Sequence, residues 1–252
     1  MGIETLADMT RRQARERPDR VAWAFAGRET TFGEFHERSN RVANGLAATG
    51  IGPGQRVAQI GKNSDLFFEL FFGASKTRGA LVPVNWRLAP PEISYIINDA
   101  RAEVLFVGND FYDVVAGLGD ELKTIREIIA LDGGHPEWPA YEDWLGSHSA
   151  AEPNSAPEPG DTAVQMYTSG TTGHPKGTET THENIFWQLH EGNKELGGWH
   201  ENDVTQVVMP QFHIAGSAWG MVAFYSGAKA VIMGEVDPPA ILGSIPRDGI
   251  TK

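Results

Sequence analysis

Met166–Gly177 reads MYTSGTTGHPKG, and its chemistry decides how the rest of the chain is read. A short apolar strand runs into Thr168, Ser169, Gly170, Thr171, Thr172 and Gly173, then into Pro175, Lys176 and Gly177. Such a loop offers bare backbone N–H groups, several hydroxyls and one ammonium. Glycine lets the main chain close on a ligand and adopt positive φ. Successive amides make an anion-holding concavity, and lysine adds a point charge, so the combination suits a polyphosphate.

Two familiar phosphate loops do not fit. A Walker A loop has glycine before its lysine and Ser or Thr after it. Here Pro175 precedes Lys176 and Gly177 follows. No G-x-G-x-x-G opens a helix after the strand, so the dinucleotide fingerprint fails as well. A flexible Ser/Thr/Gly linker would not explain the buried-type strand that leads in.

The segment resembles the phosphate-binding signature of the adenylate-forming superfamily. That group includes acyl- and aryl-CoA synthetases, firefly luciferases and the adenylation domains of peptide synthetases. Its pattern is roughly Y-T-S-G-T-T-G-x-P-K-G, then a short strand and T-H-x-N, which Tyr167–Gly177, Thr181, His182 and Asn184 match. The likeness extends to Thr31–Leu46, to Gly52–Val57 with Asn63, and to Gly79–Pro91 (GALVPVNWRLAPP). Pro210–Gly216 (PQFHIAG) is similar to a P-x-F-H-x-x-G motif on the wall of the acyl pocket. The T-S-G-T-T-G wording leans toward CoA ligases over peptide-synthetase domains. Thr178, Glu179 and Thr180 depart from the pattern, which is apolar there. Glu179 is expected to turn away from the loop, as strand alternation permits.

The resemblance implies an α/β fold of stacked, mainly parallel sheets covered by helices, incomplete at its end. It implies a partial N-terminal adenylation domain over residues 1–252, with a first α/β portion (1–149), a surface connector (150–160) and a phosphate-loop portion (161–252). The chain stops at Gly249–Lys252, where another central strand is expected. Three further features are expected beyond it: a Y-G-x-T-E segment, a ribose-binding T-G-D aspartate, and a lid carrying the catalytic lysine. No catalytic residue is therefore assigned here.

By the same resemblance, Thr168, Ser169, Gly170, Thr171, Thr172 and Gly173 grip the β- and γ-phosphates of ATP. Lys176 adds charge, and Thr172 touches Mg²⁺. Phe212, His213 and Gly216 belong to the acyl pocket, His213 at its carboxylate end, with Trp219 and Met221 as further lining. The implied reaction joins a fatty or aromatic carboxylic acid to AMP and then to CoA. The alternative is a truncated, non-catalytic relative that binds ATP or a partner weakly. Without the missing contacts, these residues are expected to bind ATP no better than about millimolar and to turn over negligibly. Read on their own, Lys176 is a solvated turn lysine and His213 a helix cap. His182 is structural, and Trp187, Phe212 and Trp219 are plain core.

Composition sets the outer bounds. At 252 residues, 40% hydrophobic and 21% charged, the chain is ordinary for a globular protein. No apolar run reaches membrane-spanning length, and MGIETLADMT lacks a basic end followed by an apolar core, so no signal peptide is expected. The absence of cysteine excludes disulfides and fits a cytoplasmic protein. A net charge of −12 argues against nucleic acid as a partner. Under the truncation reading, an unpaired strand edge favours self-association into a homodimer.

Periodicity predicts alternating elements. Helices are expected over Thr5–Arg17, from Thr31 to Ala48 with a Thr31/Glu34 capping box, and from a Ser64 cap to about Thr77. Others fall at Pro91–Asp99, Tyr112–Leu118, His182–Leu196, Ile214–Tyr225 and Pro239–Ile245. Strands are expected at Val21–Ala26, Arg56–Ile60, Ala80–Val84, Glu103–Val107, Glu127–Leu131, Thr162–Thr168, Val204–Val208 and Ala228–Met233. Gly27–Thr30 reads as a turn. Such alternation argues for parallel sheets flanked by helices.

Overall fold

The computed structural model describes residues 3–169, 173–195 and 197–252. Two sheets form the frame. The first is four-stranded, in the order β2 (Arg28–Thr31), β1 (Val21–Phe25), β10 (Lys229–Ile232), β9 (Val204–Val207). The second is six-stranded, in the order β6 (Glu127–Ala130), β5 (Ala102–Val107), β3 (Arg56–Ile60), β4 (Ala80–Val84), β7 (Thr162–Thr168), β8 (Lys176–Thr181). Among the described residues, only β1–β2 and β7–β8 are antiparallel. Both sheets draw strands from either side of residues 150–160.

The central strands β3, β4 and β5 of the large sheet are largely apolar because each face buries into a different core. Val57, Leu81, Val104 and Phe106 point inward to a core shared with the small sheet. Ala58, Val82, Leu105 and Val107 point outward beneath α4 (Pro90–Asp99) and α5 (Tyr112–Leu118). Period-two alternation thus splits one sheet between two cores.

Between the sheets runs α3 (Asp65–Lys76), buried along its entire length. The spacing of Phe67, Leu70, Phe71 and Ala74 suggests a single inward face, but every side of the helix has a neighbour. Trp23 of β1 stacks on Phe68 with centroids 4.2 Å apart and planes 3° from parallel. On another side lies α2 (Phe32–Ala48), closed by the expected Thr31/Glu34 capping box. At Gly73 a Cβ would collide with Val42, so α2 and α3 meet main chain to side chain.

A helix with no solvent face must neutralise its charged residues. Glu69 takes Arg38 Nε at 2.6 Å and the Tyr141 hydroxyl at 2.7 Å. Burial pushes its carboxyl up, against the pull of Arg38. Lys76, fully enclosed, donates to Ser39 Oγ (2.8 Å) and Asn40 Oδ1 (2.7 Å). Burial lowers its ammonium from the ordinary 10.5 to about 7. Close by, His36 Nε2 lies 3.0 Å from Glu152, whose carboxyl is held down to about 2, chiefly by that bond.

Several expectations need correction. Ser64 occupies the N-cap of α3, but its side chain makes no capping bond; its amide donates to Gln211 Oε1 at 2.8 Å instead. Gly27–Thr30 is not simply a turn. The reversal lies at Ala26–Gly27, both at positive φ, and Arg28–Thr31 is a strand. The helix α6 (Tyr141–Gly146) was not foreseen; it is short, and Tyr141, Trp144 and Leu145 anchor it. Trp187 on α7 (His182–Glu195) is not core but 71% exposed. Among the described residues, no helix is long and apolar enough to cross a membrane.

Lys76 makes stability depend on pH in a stated direction. Between about pH 7 and 10.5 the unfolded lysine holds a proton that the folded one has shed, so stability rises with pH across that window. Lys76→Met removes this contribution. Urea midpoints for wild type and variant, measured near pH 7 and near pH 10.5, should therefore show wild type gaining on the variant as pH rises.

Candidate functional site

Strands β7 and β8 form a hairpin at one margin of the large sheet, with the glycine- and hydroxyl-rich stretch between them in sequence. Strand β7 lies parallel beside β4 and antiparallel to β8. The register pairs Met166 with Thr178, Tyr167 with Gly177, and Thr168 with Lys176. Opposite residues share a face and successive residues alternate. Met166 packs into the inner core, so Thr168 and Lys176 stand together on the inward side of the hairpin mouth. Both are exposed, as are Ser169 and Gly173. Gly173 has φ +99°, a conformation side chains rarely adopt. Among the described residues, no carboxylate pairs with Lys176, and the amides of Ser169, Gly173 and His174 donate to none of the protein's own carbonyls. Gly170, Thr171 and Thr172, the last also the expected magnesium contact, lie outside the described residues.

The outward face of the hairpin is held by polar contacts. A Cβ on Gly177 would strike the Gln165 amide and stand 3.0 Å from Tyr167 Cζ, so these two side chains lie across the glycine. The Tyr167 hydroxyl donates to Asp99 Oδ2 at 2.6 Å. Burial, then that carboxylate, raises its pKa, so the phenol keeps its proton. Glu179 is turned from the loop toward Arg56, 2.6 Å away, and accepts from Thr162 Oγ1. The polar Thr178–Thr180 departure is thus a strand whose acid is already paired.

Downstream, the T-H-x-N motif starts a helix. Thr181 and Asn184 exchange side-chain-to-amide bonds of 3.2 Å in each direction. His182 is buried, and its Nδ1 accepts the Leu6 amide at 3.2 Å. Burial lowers its pKa to about 4, so the ring is neutral at pH 7, with its proton on Nε2. It joins α7 to α1 (Leu6–Glu16) and touches no candidate ligand group.

The second motif leads into α8 (Ile214–Ser226). His213 is exposed and caps that helix, its Nδ1 accepting the Ala215 amide at 3.2 Å. Phe212 is half-buried, edge-on to Trp86 at 6.4 Å and beneath the Arg87 guanidinium at 5.7 Å. Gly216 is buried against the preceding turn, where a Cβ would overlap the carbonyls of Met209 and Pro210. Met221 is core, and Trp219 donates to Thr205 Oγ1 at 2.8 Å.

Sequence reasoning missed the clasp beneath this turn. Asn63 Nδ2 donates to the carbonyls of Met209 and Met233, both at 3.1 Å, and its Oδ1 accepts the Gln211 amide at 2.8 Å. Gln211 bonds both main-chain groups of Ser64. Two buried amides thus fasten the turn after β9 to the turn after β3, one from each sheet. Asn63 had drawn attention only as part of a resemblance; its polarity after a buried strand was the available signal. No hydrogen bond, ion pair or ring contact joins Thr168–Lys176 to Phe212–Gly216 among the described residues.

The chain belongs to the AMP-binding enzyme family, whose match covers residues 10–252. It is 36% identical over 235 residues to the fatty acid–[acyl-carrier-protein] ligase ScoC of Streptomyces coeruleorubidus, covering 92% of this chain and 44% of that protein. It is 35% identical over 229 residues to a long-chain-fatty-acid–CoA ligase of Thermus thermophilus, covering 88% and 41%. The chain thus spans less than half the length of these curated relatives. Its fold superposes on the inhibitor-bound N-terminal domain of FACL13 from Mycobacterium tuberculosis with a TM-score of 0.91 and 29% identity, covering 98% of this chain and 62% of that one.

Gly216→Ala places a methyl against two main-chain carbonyls that no rotamer change can relieve. It should destabilise the protein by about 1–3 kcal/mol in urea unfolding.

Proposed function

We propose that the Tyr167–Gly177 hairpin holds the phosphates of ATP, and that the protein serves the AMP-forming activation of a carboxylic acid. The observation that carries this reading is the hairpin mouth. Thr168 and Lys176 face each other beside Gly173, exposed and with no carboxylate on the lysine among the described residues. A loop built to hold itself together would spend those donors internally.

In the proposed reaction a carboxylate oxygen attacks the α-phosphorus of ATP. The bond to pyrophosphate breaks and an acyl-adenylate forms. A CoA thiolate then attacks the acyl carbon, and AMP departs. The first step brings anions together, so charge neutralisation and in-line positioning dominate it. Thr168, Ser169 and Gly173, with Gly170, Thr171 and Thr172, are assigned to the β- and γ-phosphates. Lys176 supplies a fixed positive charge. Phe212, His213 and Gly216 are assigned to the acyl pocket. The His213 ring, already spending Nδ1 on its own helix, has Nε2–H left to donate to a carboxylate.

Among the described residues, no group of three or more His, Asp or Glu could hold a metal ion. Magnesium is therefore proposed to arrive on the phosphates, with the Thr172 hydroxyl as its protein contact. When bound it neutralises phosphate charge in a protein of net charge −12. The fatty-acid ligases among the relatives support a fatty acid as the substrate. The lack of cysteine supports a cytoplasmic setting.

Calorimetry with MgATP tests the reading on these 252 residues. Binding near millimolar is expected, because one charge-assisted bond contributes roughly 1.5–3 kcal/mol and a millimolar complex needs about 4. Lys176→Ala should weaken it about tenfold. Inorganic tripolyphosphate should compete with the nucleotide. Equal affinity in wild type and Lys176→Ala would show that the hairpin does not hold the triphosphate.

A further inference from the structure

Helix α4 carries two side chains one turn apart that both reach the hairpin. Tyr95 stacks on His174, with ring centroids 5.1 Å apart and planes 27° from parallel, and its hydroxyl lies 3.5 Å from the Pro175 carbonyl. Asp99, four residues on, accepts the Tyr167 hydroxyl at 2.6 Å. Spacing of i and i+4 puts both on one helix face. His174 and Pro175 are on the descending shoulder of the loop, and Tyr167 is on the ascending one. One rigid face therefore touches both arms.

The placement of Asp99 argues that this contact is not incidental. It is the last residue of α4, where the helix dipole presents its negative end and a carboxylate is disfavoured. It is also exposed, so burial does not demand it. What it gains is Tyr167, whose ring crosses Gly177 to arrive there. The outer core under α4 already holds Ile93, Ile96 and Ile97, with Tyr95 packed at its margin, so Asp99 is not needed to dock the helix.

We infer that Tyr95 and Asp99 are positioning residues that clamp the two shoulders of the hairpin and so set the spacing of its phosphate donors. The inference rests on the proposed role of that hairpin. Tyr95 and Asp99 touch no substrate; they act through Tyr167, His174 and Pro175. Their face is opposite to that of Thr168 and Lys176, so the clamp grips the loop from behind while the mouth stays open. The His174 ring is a distinctive part of this device, since the position before Pro175 varies in the signature the loop resembles.

The test combines hydrogen exchange, MgATP affinity and thermal melting on Asp99→Ala and Tyr95→Leu. Exchange at the strand amides flanking the loop, in Tyr167–Thr168 and Lys176–Gly177, should accelerate about three- to tenfold, and MgATP affinity should fall by a similar factor. Asp99→Ala should melt no lower than wild type, since it relieves an unfavourable helix-end charge. Tyr95→Phe, which keeps the ring on His174, should restore wild-type affinity. Faster exchange with unchanged affinity overturns the inference, leaving a contact of purely structural use. Unchanged exchange and affinity in both variants, with Lys176→Ala still weakening MgATP, overturns it and leaves the phosphate reading intact. No effect of Lys176→Ala removes that reading and the clamp together.

Discussion

The fold is organised around a helix that has no outside. Because α3 lies between two sheets, its apolar residues can face any direction, but its charged ones must be met by partners brought from elsewhere. Arg38 and Tyr141 serve Glu69, and Ser39 with Asn40 serve Lys76. Three of those partners sit on α2, so its polar residues are dictated by its neighbour. Breaking one member of such a set leaves a charge stranded in an apolar interior, which is far costlier than never having had the pair. The geometry of α2, α3 and α6 is thereby locked, and both sheets take their separation from it.

Much of this was legible in the sequence. Alternating strand and helix patterns located most elements, and the Thr31/Glu34 box fixed a helix start because capping is a local interaction. What was not legible depended on partners distant in sequence. Ser64 resembles a cap, yet its amide is taken by Gln211, far along the chain. Arg28–Thr31 has too little apolar pattern to declare a strand and pairs because β1 offers an edge. Trp187 reads as core by residue type alone, and only the orientation of α7 leaves it outside.

The candidate site was legible unevenly for the same reason. Glycine, hydroxyls and lysine in one run point to the proposed phosphate loop, because that chemistry is contiguous. The grip of α4 on the loop is not contiguous, and neither is the Asn63–Gln211 clasp. His182 and His213 show how one residue type divides. The first is an acceptor sealed at a junction between helices, and the second is an exposed cap with one nitrogen spare.

The close seating of Gly216 has a consequence for which neighbouring positions of this chain can vary. The first turn of α8 rests directly on two carbonyls of the preceding bend, so its path is set by main chain against main chain. His213 adds its side-chain cap to that path, while Phe212, Ile214 and Ala215 can be exchanged with the main-chain contour preserved.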